Sequence, residues 1–163
     1  MLELKDIMYY IIKNYPSHMK KELSNARLTK MVYLSDWKNA IEYYAQITNI
    51  NWYFDNYGPF VNDIKLEAEK HCDIFKIKNT VNLYGQPKTY FEIINNQEME
   101  NRIQNIDTNY KKILDYIIDL TSKMYWNTFI KLVYSTYPIT SSDRYTHLNL
   151  IEKAKDYEKF KEH

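Results

Sequence analysis

Leu28-Thr29-Lys30-Met31-Val32-Tyr33-Leu34-Ser35-Asp36-Trp37 carries apolar side chains around most of a helical circumference. Leu28, Met31, Val32, Ser35 and Trp37 fall toward one side, and Tyr33, Leu34, Ile41 and Tyr44 widen the arc. A helix that is apolar nearly all round belongs in an interior. Ser24 is a good N-cap, and the spacing predicts a helix over residues 25–46 that forms the spine of the fold.

Upstream, Leu4, Ile7, Met8, Ile11 and Ile12 follow one helical face, and Pro16 ends that helix, predicted over residues 2–14. Downstream, residues 51–54 read as a short strand, with Trp52 and Phe54 alternating against Tyr53. Tyr57-Gly58-Pro59 breaks it, and Pro59 suits the first position of a helix running on through Phe60, Val61, Ile64 and Ala68. Phe75, Ile77, Val81 and Leu83, then Tyr90, Phe91, Ile93 and Ile94, predict a β-hairpin with a loose turn near Gly85 and Pro87. Residues 95–109 are polar and Asn-rich, a loop or a weak solvated helix. Two helical stripes follow: Tyr110, Ile113, Leu114, Ile117 and Ile118, then Trp126, Phe129, Ile130, Val133 and Tyr134. Pro138 ends the second, residues 139–145 read as a polar loop, and Asn149 with Glu152 resembles a capping box for a last helix. The expectation is one mainly helical α+β domain over residues 1–163, with about six helices around a central helix and a small antiparallel hairpin sheet.

At 163 residues the chain is of single-domain length. Two glycines cannot build Gly-rich phosphate loops or dinucleotide fingerprints. Twenty-two basic residues against 21 acidic give a net charge of +1, which argues against nucleic acid as the main partner. A single cysteine, Cys72, excludes an internal disulfide, and acidic residues interrupt what would be a leader after Met1. No apolar run approaches membrane-spanning length. The expectation is a cytoplasmic chain with no membrane partner.

Sites of chemistry are sparse. Among His18, His71, His147 and His163 no pair has the i, i+4 spacing of a helical zinc site. His71-Cys72-Asp73 is the one cluster of metal-capable types, and adjacent helical residues point about 100° apart. Its plainer reading is a helix C-terminus with a small buried thiol. Ser135-Thr136 lacks the glycine-flanked elbow of a hydrolase, and Glu67/Glu69 and Glu98/Glu100 read as solvated pairs. The expectation is no enzyme, no metal and no cofactor. Binding is better supported: 17 tyrosines and three tryptophans exceed what the core needs, and Tyr9, Tyr10, Tyr43, Tyr44, Tyr53, Tyr84, Tyr90, Tyr125 and Tyr145 cannot all point inward. The alternative is a winged-helix-like DNA-binding transcriptional regulator, with Lys76, Lys78 and Lys88 on the wing and Lys20, Lys21, Arg27 and Lys30 flanking the spine.

Three blocks carry a family resemblance. The stretch from Leu28 to Trp37 resembles the opening helix of the Panacea domain, the SocA-like, GepA phage-associated antitoxin family. Ile47-Thr48 to Trp52 with Tyr57-Gly58-Pro59-Phe60-Val61 resembles its strand and Tyr-Gly-Pro-Val turn. Leu132-Val133-Tyr134-Ser135-Thr136-Tyr137-Pro138 resembles its late helix and ending. The blocks run in order within residues 2–160; Met31, Ser35 and Phe60 are conservative departures. The resemblance implies an antitoxin of a bacterial or prophage type II toxin–antitoxin pair. Its partner would be a cognate protein toxin neutralised by direct binding, with a protease as second partner where the antitoxin delivers the toxin as an adaptor. The residues it marks are Lys30, Tyr33, Asp36, Trp37, Trp52, Tyr57, Gly58, Pro59, Tyr134, Thr136 and Pro138. Asp36 in an apolar helix needs donors, and the Tyr57-Gly58 backbone or the Trp52 indole are the expected ones. On that reading the blocks are structural; on the other, Lys30, Tyr33, Asp36 and Trp37 touch a toxin.

Overall fold

A computed structural model describes residues 2–161; the expectations placed on Met1 and His163 lie outside them. Helix α1 (Leu4–Asn14) is followed by a 3-10 helix (Ser17–Glu22), the spine α2 (Asn25–Tyr43), short strands β1 (Phe54–Asp55) and β2 (Gly58–Pro59), and α3 (Asp63–Lys70). Strands β3 (Phe75–Val81) and β4 (Pro87–Ile93) then precede α4 (Gln97–Gln104), α5 (Thr108–Thr121), α6 (Trp126–Tyr134), α7 (Tyr137–Thr140) and α8 (Leu150–Lys161). The described residues thus hold eight α-helices and two small antiparallel sheets, the mainly helical α+β fold expected, with more short helices than the sequence suggested.

Helix α2 is the interior helix its apolar circumference demands, buried without a break from Arg27 to Trp37. The Ser24 hydroxyl accepts the Arg27 N–H at 3.1 Å and caps its start. It ends at Tyr43, earlier than predicted, because Tyr44 takes a left-handed conformation with φ 53°. That residue reverses the chain and brings the next segment back along α2. Around α2 pack α1, α3, α5, α8 and β4. Helix α1 buries Ile7 to Ile12 without interruption. Its buried Asp6 receives a bidentate grip from Arg102 of α4, Nε at 2.7 Å and an Nη at 2.8 Å.

The β3–β4 hairpin pairs in antiparallel register from Phe75 opposite Ile93 to Val81 opposite Pro87, as the alternation predicted. Other expectations need correction. Strand β1 takes only Phe54 of the predicted residues 51–54, with Tyr53 in an isolated antiparallel bridge to His147, and Pro59 lies in β2, opposite Phe54, not at a helix start. Helix α3 begins only at Asp63. Of the two readings of residues 95–109 the helix holds, as α4, but it is not merely solvated, since it buries Met99 and Ile103. Asn96 starts it by accepting the Met99 N–H at 3.0 Å. Pro138 sits in the first turn of α7, where it lacks nothing, instead of opening a loop. Asn149 Oδ1 accepts the Glu152 N–H at 3.1 Å, so the last helix is capped as expected. No helix among the described residues is long and apolar enough to cross a membrane.

Candidate functional site

The left-handed turn at Tyr44 returns residues 46–48 to the flank of α2, where Asp36 waits with no exposed surface. Its Oδ1 accepts the Ile47 N–H at 2.8 Å and the Thr48 N–H at 2.9 Å. Its Oδ2 accepts the Trp52 indole N–H at 2.8 Å and the Thr48 hydroxyl. That hydroxyl in turn accepts the Ile50 N–H at 3.1 Å, so its proton points at Asp36. Burial pushes the Asp36 carboxyl pKa up, and the hydrogen bonds from Thr48, Trp52 and Ile47 pull it back down. With the Gln46 amide as a fifth and longest donor, 3.5 Å from Oδ2, its lone pairs are engaged. What Asp36 does is join α2, the following turn and Trp52 into one unit. Of the two donors the sequence suggested, the indole is present. The Tyr57-Gly58 backbone is not a partner; the backbone of Ile47 and Thr48 takes that place.

Lys30 and Tyr33 extend the same cluster toward the chain's late segment. The Tyr33 ring meets the Trp52 ring edge-on at 5.5 Å between centroids. Thr136 spends its hydroxyl proton on the Val133 carbonyl at 2.7 Å, so the Tyr33 hydroxyl donates to Thr136 at 2.8 Å. Lys30 is 2% exposed. Its ammonium has one long hydrogen bond, 3.4 Å to the Pro59 carbonyl, and lies 5.6 Å from the centre of the Phe60 ring. Burial pushes its pKa down to about 8, partly offset by the charge of Asp55. Gly58, at φ 97°, adopts a backbone that side chains resist; a Cβ there would stand 3.5 Å from the Tyr134 ring. Lys30, Tyr33, Asp36, Trp52, Gly58, Pro59, Tyr134 and Thr136, distant in sequence, therefore form one connected cluster.

The family described as Antitoxin SocA-like, Panacea domain matches residues 28–138. The chain belongs to that family. The match opens at Leu28 of α2 and closes at Pro138 of α7, so it contains the whole cluster; α1 and α8 lie outside it, although the resemblance was expected over residues 2–160. No curated protein and no solved structure matches the chain.

Within this Panacea domain, the remaining marked residues part company with the cluster. Trp37 is buried on another side of α2 against Tyr157 of α8, 5.8 Å between ring centroids. Pro138 is buried in α7. Tyr57 points outward and is exposed. The tyrosines divide as their number required: Tyr9, Tyr10 and Tyr90 are buried, whereas Tyr43, Tyr44, Tyr84, Tyr125 and Tyr145 are exposed.

The basic face imagined for DNA is broken up. Arg27 is buried and donates to the Thr121 and Met124 carbonyls at the end of α5, its guanidinium 4.6 Å from the centre of the Phe129 ring. Lys30 is enclosed, and Lys88 stands 3.5 Å from Glu22. Cys72 is exposed rather than a buried thiol. Its neighbour His71 ends α3 and contacts Glu67 at 3.0 Å. Among the described residues no group of His, Cys, Asp and Glu is arranged to hold a metal ion.

The Ile47 and Thr48 amides and the Arg27 clamp escaped the sequence. Thr48 leaves a faint side-chain signal as a hydroxyl inside the second motif block. A backbone N–H leaves none.

Proposed function

We propose that this Panacea domain is the antitoxin of a type II toxin–antitoxin pair and neutralises its protein toxin by direct binding, with delivery of that toxin to a protease as a further use of the same complex. The observation that carries the reading is the outward display of large rings on a domain of an antitoxin family. Tyr57, Tyr125, Trp126, Tyr145 and Phe160 are all exposed, and Tyr and Trp are the residues that anchor protein interfaces. Apart from the exposed Tyr57, the marked motif residues serve this role from within, by fixing the surface that meets the toxin. The complex forms in the cytoplasm and blocks the toxin sterically or by holding it in an inactive shape.

The test is the native mass of the tagged chain, co-expressed with the product of the adjacent gene, by size-exclusion chromatography with light scattering. A complex of defined stoichiometry is expected, and the partner alone should arrest growth. A bare monomer or homodimer, even with the neighbour present, overturns the reading. DNA binding that weakens steeply with salt would then favour the regulator.

A further inference from the structure

The β3–β4 hairpin ends in a turn that displays apolar side chains in a fixed geometry. Leu83 is 101% exposed, Tyr84 88% and Val81 63%. None of the three packs on the core. Hairpin tips ordinarily carry Gly, Asn, Asp or Ser, which suit the backbone and water alike. Here Asn82 does the turn's work. Its side-chain oxygen accepts the N–H groups of Tyr84 and Gln86, both at 2.9 Å. Its own N–H donates to the Gln86 carbonyl at 2.8 Å, and the Gly85 N–H returns to the Asn82 carbonyl at 3.0 Å. Gly85 supplies the positive φ of 76°. The turn is cross-braced, not loose as its sequence suggested. Leu83 and Tyr84 are held outward in advance of any partner, which reduces the ordering needed on binding. Between Ile77 and Phe91 the hairpin carries no carboxylate, and of its two lysines Lys88 already stands 3.5 Å from Glu22.

We infer that the hairpin tip is an anchor: Leu83 and Tyr84 enter an apolar cleft on the protein toxin. The inference rests on the antitoxin reading and names the surface that does the binding. A braced turn and two large side chains without a structural role, on a domain of an antitoxin family, fit an apolar cleft on a protein partner.

The experiment uses the full chain and the purified product of the adjacent gene. The double variant Leu83→Ser/Tyr84→Ser should weaken binding by about 100-fold or more, because central anchors dominate interface energy, with an unchanged melting temperature. A toxin affinity within about threefold of wild type for the Leu83/Tyr84 variant overturns the anchor while leaving the antitoxin reading intact. No complex with the wild-type chain overturns both. Two further outcomes assign the tip elsewhere and overturn the inference. One is toxin-independent binding to phosphatidylserine–phosphatidylcholine vesicles that the Leu83/Tyr84 variant loses; the other is a homodimer that the variant dissolves.

Discussion

The Asp36 cluster and the hairpin tip each invert the usual distribution of side chains. At the cluster a carboxylate and an ammonium lie inside; at the tip a leucine and a tyrosine lie outside. Inside, the inversion is compensated by neighbours. Five donors converge on Asp36, and each comes from chain outside α2, so the carboxylate converts local structure into tertiary structure. Outside, nothing among the described residues compensates Leu83 and Tyr84. We propose that the difference separates two tasks: the buried motif residues hold the domain together, and the surface determines what it meets. Damage to the first should appear in unfolding experiments, and damage to the second only in binding.

The largest expected effect is at Asp36. Asp36→Ala leaves the Trp52 indole, two backbone amides and the Thr48 hydroxyl buried without an acceptor, and should lower unfolding free energy by about 4 kcal/mol in urea titrations. Lys30 comes next and has a pH signature. Unfolded, it keeps its proton up to its ordinary 10.5; folded, it gives it up near 8. The unfolded chain therefore binds more protons in that window, and stability should rise by on the order of 2 kcal/mol between about pH 8 and about pH 10. Lys30→Met should abolish the rise. Above 10 the slope should reverse, since burial pushes Tyr9 up to about 12 and its phenol ionises first in the unfolded chain.

Gly58→Ala should cost about 1.5 kcal/mol, because alanine resists the left-handed backbone there; thermal melts would show it. The smallest effect sharpens the contrast most: Leu83→Ser/Tyr84→Ser should alter unfolding free energy by less than about 0.5 kcal/mol, as exposed positions without contacts do.

Periodicity made much of the fold legible. The apolar circumference of residues 28–37 located the interior helix, and alternation located both hairpin strands. What alternation cannot convey is the left-handed residue at Tyr44, since a tyrosine there carries no local sign of it. The partners of Asp36 were accordingly half legible. The Trp52 indole is a side-chain donor and could be named, whereas the Ile47 and Thr48 amides depend on where that turn sends the chain. Lys30 misled for a related reason. A lysine is ordinarily solvated, and only its position between Thr29 and Met31, in a helix without a polar side, hints that Pro59 and Phe60 close over it. Helix α4 was obscured by its Asn-rich flanks, although Met99 and Ile103 already had helical spacing.

The most direct test of the separation between scaffold and surface is a paired measurement on one variant, Asp36→Asn: urea unfolding, and toxin affinity at a temperature where the variant is folded. The amide turns an N–H₂ toward donors that need an acceptor, so a clear loss of stability with toxin affinity intact is the predicted result. A variant that unfolds like the parent and no longer binds the toxin would place Asp36 in the interface and contradict the account.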